Sequence, residues 1–387
     1  MKKLVKLLLS CSMMFSLVAC SSGDSSSTSD AIKLGGSGPL TGDAAVYGKA
    51  VMNAAQLAVD EINEKEGKTY FEFKFEDDEA DPTKSPNAYG SLKDWGMQVS
   101  IYTTTSGAGA AVAEDYYNDR IFAITPSGSN TSLIYTSTTN YDNLFQVCFT
   151  DPNQGVASAD YMHGNPFGLG SLKVGIIYRS DDDYSTSIYN TFKAEAKELG
   201  VSVVYEGSFT KDTVDYSTQL QAAMDNNADI LFLPIYYAPA ATILTQANNM
   251  NYHPVIFGVD GLDGILSVEN FDTSLAEGVY LLTPFAADAT DDATVSFVKK
   301  YVELYGETPN QFAADAYDAV YAIYQACKAG NVTASMSASE ICDILISQFT
   351  SMTFEGLTGT ATWATNGEVS KSPKAVIIKD GAYVAAE

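Results

Sequence analysis

Arginine and histidine are scarce in this sequence of 387 residues, and basic residues are few overall. The 22 Lys and Arg are outnumbered by 48 Asp and Glu, which gives a formal net charge of −26. The arginines are Arg120 and Arg179, and the histidines are His163 and His253. We expect no nucleic-acid partner, because a polyanion requires Lys and Arg to neutralise its phosphates. Histidine-built metal sites and Ser-His-Asp catalysis are disfavoured because the sequence has only two histidines.

A hydrophobic run long enough to cross a bilayer is also missing. Residues 1–19 combine a basic start with an apolar stretch from Leu7 to Ala19, and a spanning helix needs about 20 residues. They therefore predict a secretory signal peptide. Residues 17–20, Leu-Val-Ala-Cys, resemble the bacterial lipobox, which implies cleavage before Cys20 and lipidation of its thiol; an ordinary signal with a chance cysteine is the alternative.

The segment 20–30 is rich in Ser, Gly and Asp. Such a composition cannot bury apolar surface and predicts a flexible tether. We therefore expect a mature protein outside the cytoplasmic membrane, where the lipid anchor is its only membrane contact.

The cysteines do not form an even set. With Cys11 in the leader and Cys20 lipidated, the remaining ones are Cys148, Cys327 and Cys342. An odd number cannot form a complete disulfide framework. Cys148 lies in an apolar run and is expected to be a buried, inert thiol. Pairing of Cys327 with Cys342 remains open.

From residue 31 onward, short β-rich runs alternate with helical patterns, which is typical of βαβ units and a parallel sheet. The predicted strands are Ile32–Gly35, Phe71–Phe75, Val99–Tyr102, Ile121–Ile124, Val174–Tyr178, Val201–Tyr205, Ile230–Leu233 and Val255–Gly258. The predicted helices are Gly48–Asn63, Gly107–Asn118, Ile188–Leu199, Tyr216–Asp225 and Tyr237–Asn249. The two series predict an α/β fold of two doubly wound, Rossmann-like lobes. Ligands of such sheets bind beyond the carboxyl ends of the strands.

Two glycine motifs fail as cofactor sites. Gly36-Ser37-Gly38 followed by Gly42 has one residue too many for a dinucleotide fingerprint, and Pro39 removes an amide from the turn. Residues 42–50 resemble a phosphate-binding loop, but an extra residue separates its glycines and Ala50 replaces the hydroxyl residue that holds magnesium. We therefore expect no cofactor, no metal and no enzymatic activity.

Three segments point to a known family. They are Gly38-Pro39-Leu40-Thr41-Gly42-Asp43-Ala44-Ala45-Val46-Tyr47-Gly48, Asp77-Asp78-Glu79-Ala80-Asp81-Pro82 and Ile124-Thr125-Pro126-Ser127-Gly128-Ser129. With them, residues 31–387 resemble the leucine/isoleucine/valine-binding, type I solute-binding proteins of ABC importers. The resemblance implies a monomer that captures a free α-amino acid, with branched-chain amino acids favoured, and delivers it to an ABC permease with its ATPase subunits.

The resemblance also implies a domain division and a hinge of three segments. Lobe 1 is expected to comprise residues 31–150 and 284–361, and lobe 2 residues 151–283 and 362–387. The two lobes of such proteins close around the ligand.

The family's clamp for the amino-acid head can be carried over to four positions. Ser106 matches the serine that holds the ligand carboxylate, and hydroxyls with free amides at a helix start favour an anion. Ser106 can equally be an N-cap. Ser127 matches a residue whose main chain contacts the ligand, and Ser129 matches a hydroxyl residue that touches both ends of the zwitterion. Asp260 falls where the family keeps an acid for the α-ammonium, usually the longer Glu.

Aromatic residues are expected to line the side-chain pocket. Those that match the family's pocket are Tyr47, Tyr184, Tyr236 and Phe312, and Tyr102 is expected to contribute. Two departures imply a more polar pocket: Ala80 and Thr105 replace a cysteine pair found in some relatives, and Thr104 replaces an apolar residue.

Other ligands and roles remain open. The same fold in relatives binds amide, urea-like or aromatic acid compounds, and it also serves as a sensory receptor subunit. Arg179 could reach an acidic ligand side chain, but pairing with Asp181–Asp183 is the favoured interpretation.

Overall fold

A computed structural model describes residues 30–170, 172–371 and 374–386. The predicted signal peptide, Cys20 and nearly all of the predicted tether lie outside these residues. None of the helices in the described ranges is both long and apolar enough to cross a bilayer.

The first sheet has five strands in the order β2-β1-β3-β4-β5, and every neighbouring pair is parallel. Its strands are β1 (Ile32–Gly38), β2 (Phe71–Asp77), β3 (Val99–Thr103), β4 (Phe122–Thr125) and β5 (Leu144–Gln146). Every residue of β3 and β4 is buried. Burial of both faces is typical of a parallel sheet covered by helices.

Helices from two distant parts of the chain cover this sheet. They are α1 (Ala45–Glu66), α2 (Ser85–Trp95), α3 (Ser106–Ala110), α4 (Ala113–Asn118), α9 (Asp292–Tyr305), α10 (Gln311–Ala329) and α11 (Ala338–Phe349). α1 packs mainly against α10. The buried stripe of α1 includes Ala54, Ala55 and Ala58, whose small side chains allow the two helices to approach closely.

The second sheet has seven strands in the order β14-β13-β10-β9-β8-β6-β7. Its strands are β6 (Lys173–Arg179), β7 (Ser202–Phe209), β8 (Ile230–Leu233), β9 (Val255–Gly258), β10 (Tyr280–Thr283), β13 (Lys374–Lys379) and β14 (Ala382–Ala385). The first five are parallel, and β13 and β14 add an antiparallel edge. The helices beside it are α5 (Asp151–His163), α6 (Asp183–Leu199), α7 (Ser217–Asp225) and α8 (Tyr237–Asn249).

The molecule therefore has two α/β halves, each named here after its sheet. Within the described residues the chain passes between the halves three times: after β5, after β10 and before β13. A small antiparallel hairpin of β11 (Phe354–Gly356) and β12 (Gly359–Ala361) precedes the third passage. The predicted α/β class with two parallel-core sheets is confirmed.

The continuous helix predicted over Gly107–Asn118 is wrong. The structure has two short helices, α3 and α4, separated by a turn at residues 111–112. Gly107 and Gly109 weaken the first helix. A Cβ atom at Gly109 would lie 2.6 Å from Thr103 Oγ1, so close packing requires glycine there.

The three described cysteines are buried free thiols. Cys148 is buried as expected, and Cys327 on α10 is not bonded to Cys342 on α11. Burial raises the pKa of the Cys327 thiol to about 12. These thiols are therefore protonated and unreactive at neutral pH.

A buried ion pair joins α10 to the segment before β13. Lys371 Nζ lies 2.8 Å from Asp315 Oδ1, and both side chains are only 2% exposed. Asp318, one helical turn further, accepts hydrogen bonds from the Thr358 hydroxyl and amide. Burial raises the pKa of Asp315 to about 6, although Lys371 opposes that rise.

Replacing Lys371 by Met should lower the free energy of unfolding by about 3–5 kcal/mol, because it leaves buried carboxyl groups without their cation. Urea denaturation would measure the change. Lys299→Met is the matched control, since Lys299 forms an exposed 3.9 Å pair with Glu303 and its loss should alter stability by less than about 0.5 kcal/mol. Equal effects of the two variants would contradict the assigned role of the buried pair.

Candidate functional site

A small cavity lies between the two halves, at residues that follow the carboxyl ends of strands in both sheets. Its volume is about 10 Å³, which is roughly the space of one water molecule. The lining residues are Tyr47, Thr104, Thr105, Ser106, Ser127, Tyr184, Tyr236, Asp260, Gly261 and Phe312. Seven of the nine ligand-binding residues predicted from the sequence are therefore brought together here; Ser129 and Tyr102 are not among the lining residues.

Asp260 is the acidic group of this cavity. It follows β9 in the second half and is 2% exposed. The Tyr184 hydroxyl donates to Asp260 Oδ1 at 2.6 Å, and the Gln154 amide donates to Oδ2 at 2.8 Å. A carboxylate can accept about four hydrogen bonds, so these two bonds orient it and leave capacity for a further donor.

Burial raises the pKa of Asp260 to about 7, although the hydrogen bonds from Tyr184 and Gln154 oppose the rise. Removal from water disfavours the charged form of a carboxyl group. A cationic group in the cavity would favour the ionised form and reverse this effect.

Hydroxyl groups of the first half line the cavity together with Asp260. Ser106 Oγ accepts a hydrogen bond from the Asn130 amide at 3.2 Å, so its own proton remains free for donation. Ser127 completes this group, and Thr105 lines the cavity beside it. Because α3 has only five residues, its dipole is small, and the hydroxyls are the main donors toward an anion.

Ser129 lies behind the cavity, next to a second buried acid. Its hydroxyl is beside the Asp151 carboxyl group, but neither Ser129 Oγ nor Asp151 Oδ1 makes a hydrogen bond of good geometry with the described residues. Asp151 Oδ2 accepts from the Asn130 side chain at 2.9 Å. Burial raises the pKa of Asp151 well above its ordinary value.

Aromatic rings from both halves meet at the cavity. Tyr47 on α1 packs edge-on against Phe312, with ring centroids 4.6 Å apart, and against Tyr236 at 5.2 Å. The Tyr47 hydroxyl donates to the Gly261 carbonyl and accepts from the Tyr237 amide at 3.3 Å. Tyr47 thus contacts the backbone of the opposite half at two points.

Tyr102 is not brought to the cavity. Pairing between β1 and β3 shifts by one residue at this point, and Tyr102 adopts a φ of 55°. Such a bulge turns a side chain away from the face that strict alternation predicts. The Tyr102 hydroxyl instead donates to the Gly109 carbonyl at 2.8 Å, and its ring packs against Tyr116.

Sequence reasoning missed two glutamines that support Asp260. Gln154 in the first turn of α5 bonds the carboxylate, and Gln311 at the start of α10 donates to the Asp260 carbonyl at 3.2 Å. Both are fully buried amides. Their signal in the sequence is weak, because a glutamine near a helix start is usually exposed.

The arrangement suits recognition of a small zwitterion. Acceptor oxygens of Asp260 lie in the second half, and the hydroxyl donors lie in the first half. None of the described residues that line the cavity is Lys, Arg or His. Arg179 donates to Asp181 at 2.9 Å, in agreement with the favoured interpretation.

A sequence profile described as periplasmic binding protein matches residues 31–382. One relative, Leu/Ile/Val-binding protein homolog 3 of Brucella melitensis, is 24% identical over 92% of this chain and 94% of its own length.

Solved structures agree with the fold. The branched-chain amino acid transporter substrate-binding protein LivJ of Streptococcus pneumoniae, in complex with isoleucine, superposes with a TM-score of 0.81 at 27% identity, over 92% of this chain and 98% of that one. A solute-binding protein of an ABC transporter from R. palustris, in complex with benzoate, gives 0.80 at 19% identity, over 92% and 95%.

Asp260→Asn should change stability in a pH-dependent way. A carboxyl group with a native pKa of about 7 and an unfolded value of about 3.9 binds more protons in the native state between those values. The parent protein therefore loses stability as pH rises from about 4 to about 7. At about 1.4 kcal/mol per pKa unit, the variant should gain about 2–3 kcal/mol relative to the parent between pH 5 and pH 8.

Urea denaturation of parent and variant at both pH values measures this gain. Any pH-independent effect of the amide cancels in the comparison, including its poorer fit to two donors. The same stability difference at pH 5 and pH 8 would show that the carboxyl group does not titrate in this range.

Proposed function

The chain belongs to the periplasmic binding protein family, and from this premise we propose that it captures a free α-amino acid for an ABC importer. Members of this family are binding proteins and not enzymes. The proposed ligand lies between the two halves, and the proposed recipients are a permease and its ATPase subunits.

The observation that carries the proposal is that Asp260 and Ser106 line the same cavity from opposite halves of the protein. A buried carboxylate is unfavourable unless a cation pairs with it, and an α-ammonium supplies that cation with three donors. The ligand carboxylate would accept from the hydroxyls of Ser106 and Ser127. The two ends of the zwitterion would then be held by opposite halves, which couples binding to closure.

Relatives favour amino acids with branched side chains. The Brucella protein is named for Leu, Ile and Val, and LivJ holds isoleucine. The aromatic rings around the cavity supply apolar surface for such a side chain, and this branched-chain preference remains a proposal for the present protein.

An aromatic acid is the second candidate, because a structure of the same fold holds benzoate. The cavity argues against it. Benzoate carries no ammonium, so Asp260 would remain buried without a cation, and no described cationic side chain lines the cavity to balance the second negative charge. Amide and urea-like ligands also lack an ammonium group, so they too would leave Asp260 buried without a cation.

The organisation around this site follows from the same proposal. Residues 31–150 with 284–361 and residues 151–283 with 362–387 would move as two lobes about the three passages. Lipidated Cys20 and the tether would hold the protein at the outer face of the membrane, within reach of the permease. A sensory role would use the same closure with a different partner.

Asp260→Asn should abolish binding of amino acids. Titration calorimetry with the twenty amino acids and benzoate on ligand-stripped protein measures the affinities. In the parent, affinity should fall by up to about tenfold for each pH unit below 7, because the protonated carboxyl group cannot pair with the ammonium. Ser106→Ala should weaken binding by about 1.5–3 kcal/mol through loss of a hydrogen bond to a charged group.

Asp318→Asn provides the control, because it alters a buried carboxyl group outside the cavity and should leave affinity unchanged. Unaltered amino-acid binding by Asp260→Asn would refute the ammonium role. Tight benzoate binding that Asp260→Asn strengthens would support the aromatic acid instead.

A further inference from the structure

The lining of the cavity indicates which way a ligand side chain would point, on the premise of the proposed function. Ser106, Ser127 and Asp260, which would hold the amino-acid head, line the inner cavity and not the larger groove outside it. Thr105 and Tyr236 line both. The side chain of a ligand held by its head at the inner end therefore extends toward Thr105 and Tyr236.

Thr105 has a hydroxyl group with no assigned role in the fold. Its side chain is 4% exposed, and Thr105 Oγ1 has no hydrogen-bond partner among the described residues. Thr105 is the N-cap of α3 but makes no capping bond, although capping is the usual role of threonine there. A buried hydroxyl without a partner is unfavourable, so this atom is suited to bond a ligand.

The neighbouring hydroxyls already have roles. Thr104 Oγ1 donates to the Ser37 carbonyl at 3.1 Å. Ser106 Oγ accepts from the Asn130 backbone amide, and its free proton is the one that the proposed function assigns to the ligand carboxylate. Among the hydroxyls of residues 104–106, the Thr105 hydroxyl is therefore the one available to bond the side chain of the ligand.

Space and charge restrict the side chain further. The closed cavity has a volume of about 10 Å³, which holds about one water molecule, so a small side chain requires the least separation of the two halves. The outer groove is lined by the acids Asp43, Glu79, Asp81, Asp181, Asp182 and Asp183 and by the bases Lys84, Arg179 and Lys211. This excess of carboxylates disfavours an anionic side chain.

We propose that the pocket selects a β-hydroxy amino acid, threonine over its isostere valine, through a hydrogen bond between the Thr105 hydroxyl and the hydroxyl of the ligand side chain. Valine has the same shape but places a methyl group against Thr105 Oγ1 and leaves that hydroxyl unpaired. Sites that bond a substrate hydroxyl discriminate well against analogues that lack it. This inference narrows the proposed branched-chain preference: the expected side chain is still branched at Cβ, but threonine replaces valine as the favoured ligand.

The test combines two isosteric ligands with an isosteric variant. Titration calorimetry on the ligand-stripped protein compares threonine with valine, for the parent and for Thr105→Val. The parent should bind threonine about tenfold more tightly than valine, as expected for one net hydrogen bond. Thr105→Val should lose this preference by weakening threonine alone.

Two further variants keep the result interpretable. Thr105→Ser retains the hydroxyl and should keep the preference for threonine, even if Thr105→Val folds poorly. Thr245→Val removes a hydroxyl that donates to the Ala241 carbonyl at 2.9 Å on α8, outside the cavity, and should leave the ratio of the two affinities unchanged.

If Thr105→Val lowered the affinities for threonine and valine equally, the Thr105 hydroxyl would be bonding the ligand carboxylate, which both ligands share. That result would overturn the inference. A parent that prefers valine, or that binds another amino acid but not threonine, would also overturn it while the proposed function stands. Failure of all twenty amino acids to bind would overturn the proposed function as well.

Discussion

The carboxyl group of Asp260 is the constraint on which the rest of the site depends. It is held away from water by two halves of the protein and oriented by Tyr184 and Gln154. A charge in such surroundings is tolerated only with a partner. The fold supplies no cation in the described lining of the cavity, and in the proposed function the ligand supplies it. Recognition, closure and sensitivity to pH would then all depend on this one group.

The two ionic sites of the molecule differ in how their charge is balanced. At Lys371 the cation is part of the chain, and it lies beside Asp315 and Asp318 in a permanent network. Burial raises the pKa of both Asp315 and Asp260, but the donors to the Asp260 carboxyl group from Tyr184 and Gln154 are neutral. The ionised form of Asp315 therefore has its cation in the fold itself, and under the proposed function the ionised form of Asp260 gains its cation from the ligand. The proposal thus distinguishes a structural acid from a recognition acid in one protein.

The sequence was sufficient to predict the α/β class and most of the residues around the cavity. Strand ends can be read from local patterns, and parallel sheets place their ligands beyond those ends. Asp260 and Ser106 were carried over from the family resemblance, and their positions after strands agree with it. The errors arose where local patterns do not decide the outcome. A one-residue bulge turned Tyr102 away, and contacts with Thr103 shaped the short helix around Gly109.

Gln154 was missed for a different reason. Its role depends on a residue 106 positions away in the chain, and no local pattern reports such a contact. Helices α9–α11 also return to the first sheet from a distant part of the chain. Long-range contacts of this kind hold the lining residues in place, so the residues that support the lining are harder to predict from local patterns than the lining residues themselves.

The acidic groove outside the cavity affects how molecules arrive. Its surplus of carboxylates makes the local electrostatic potential negative, and ions in solution screen this field over about 8 Å at physiological ionic strength. Anions that diffuse toward the groove are depleted near it, whereas a zwitterion has no net charge and meets little barrier. In dilute salt, the groove would thus lower the rate at which anionic competitors reach the pocket.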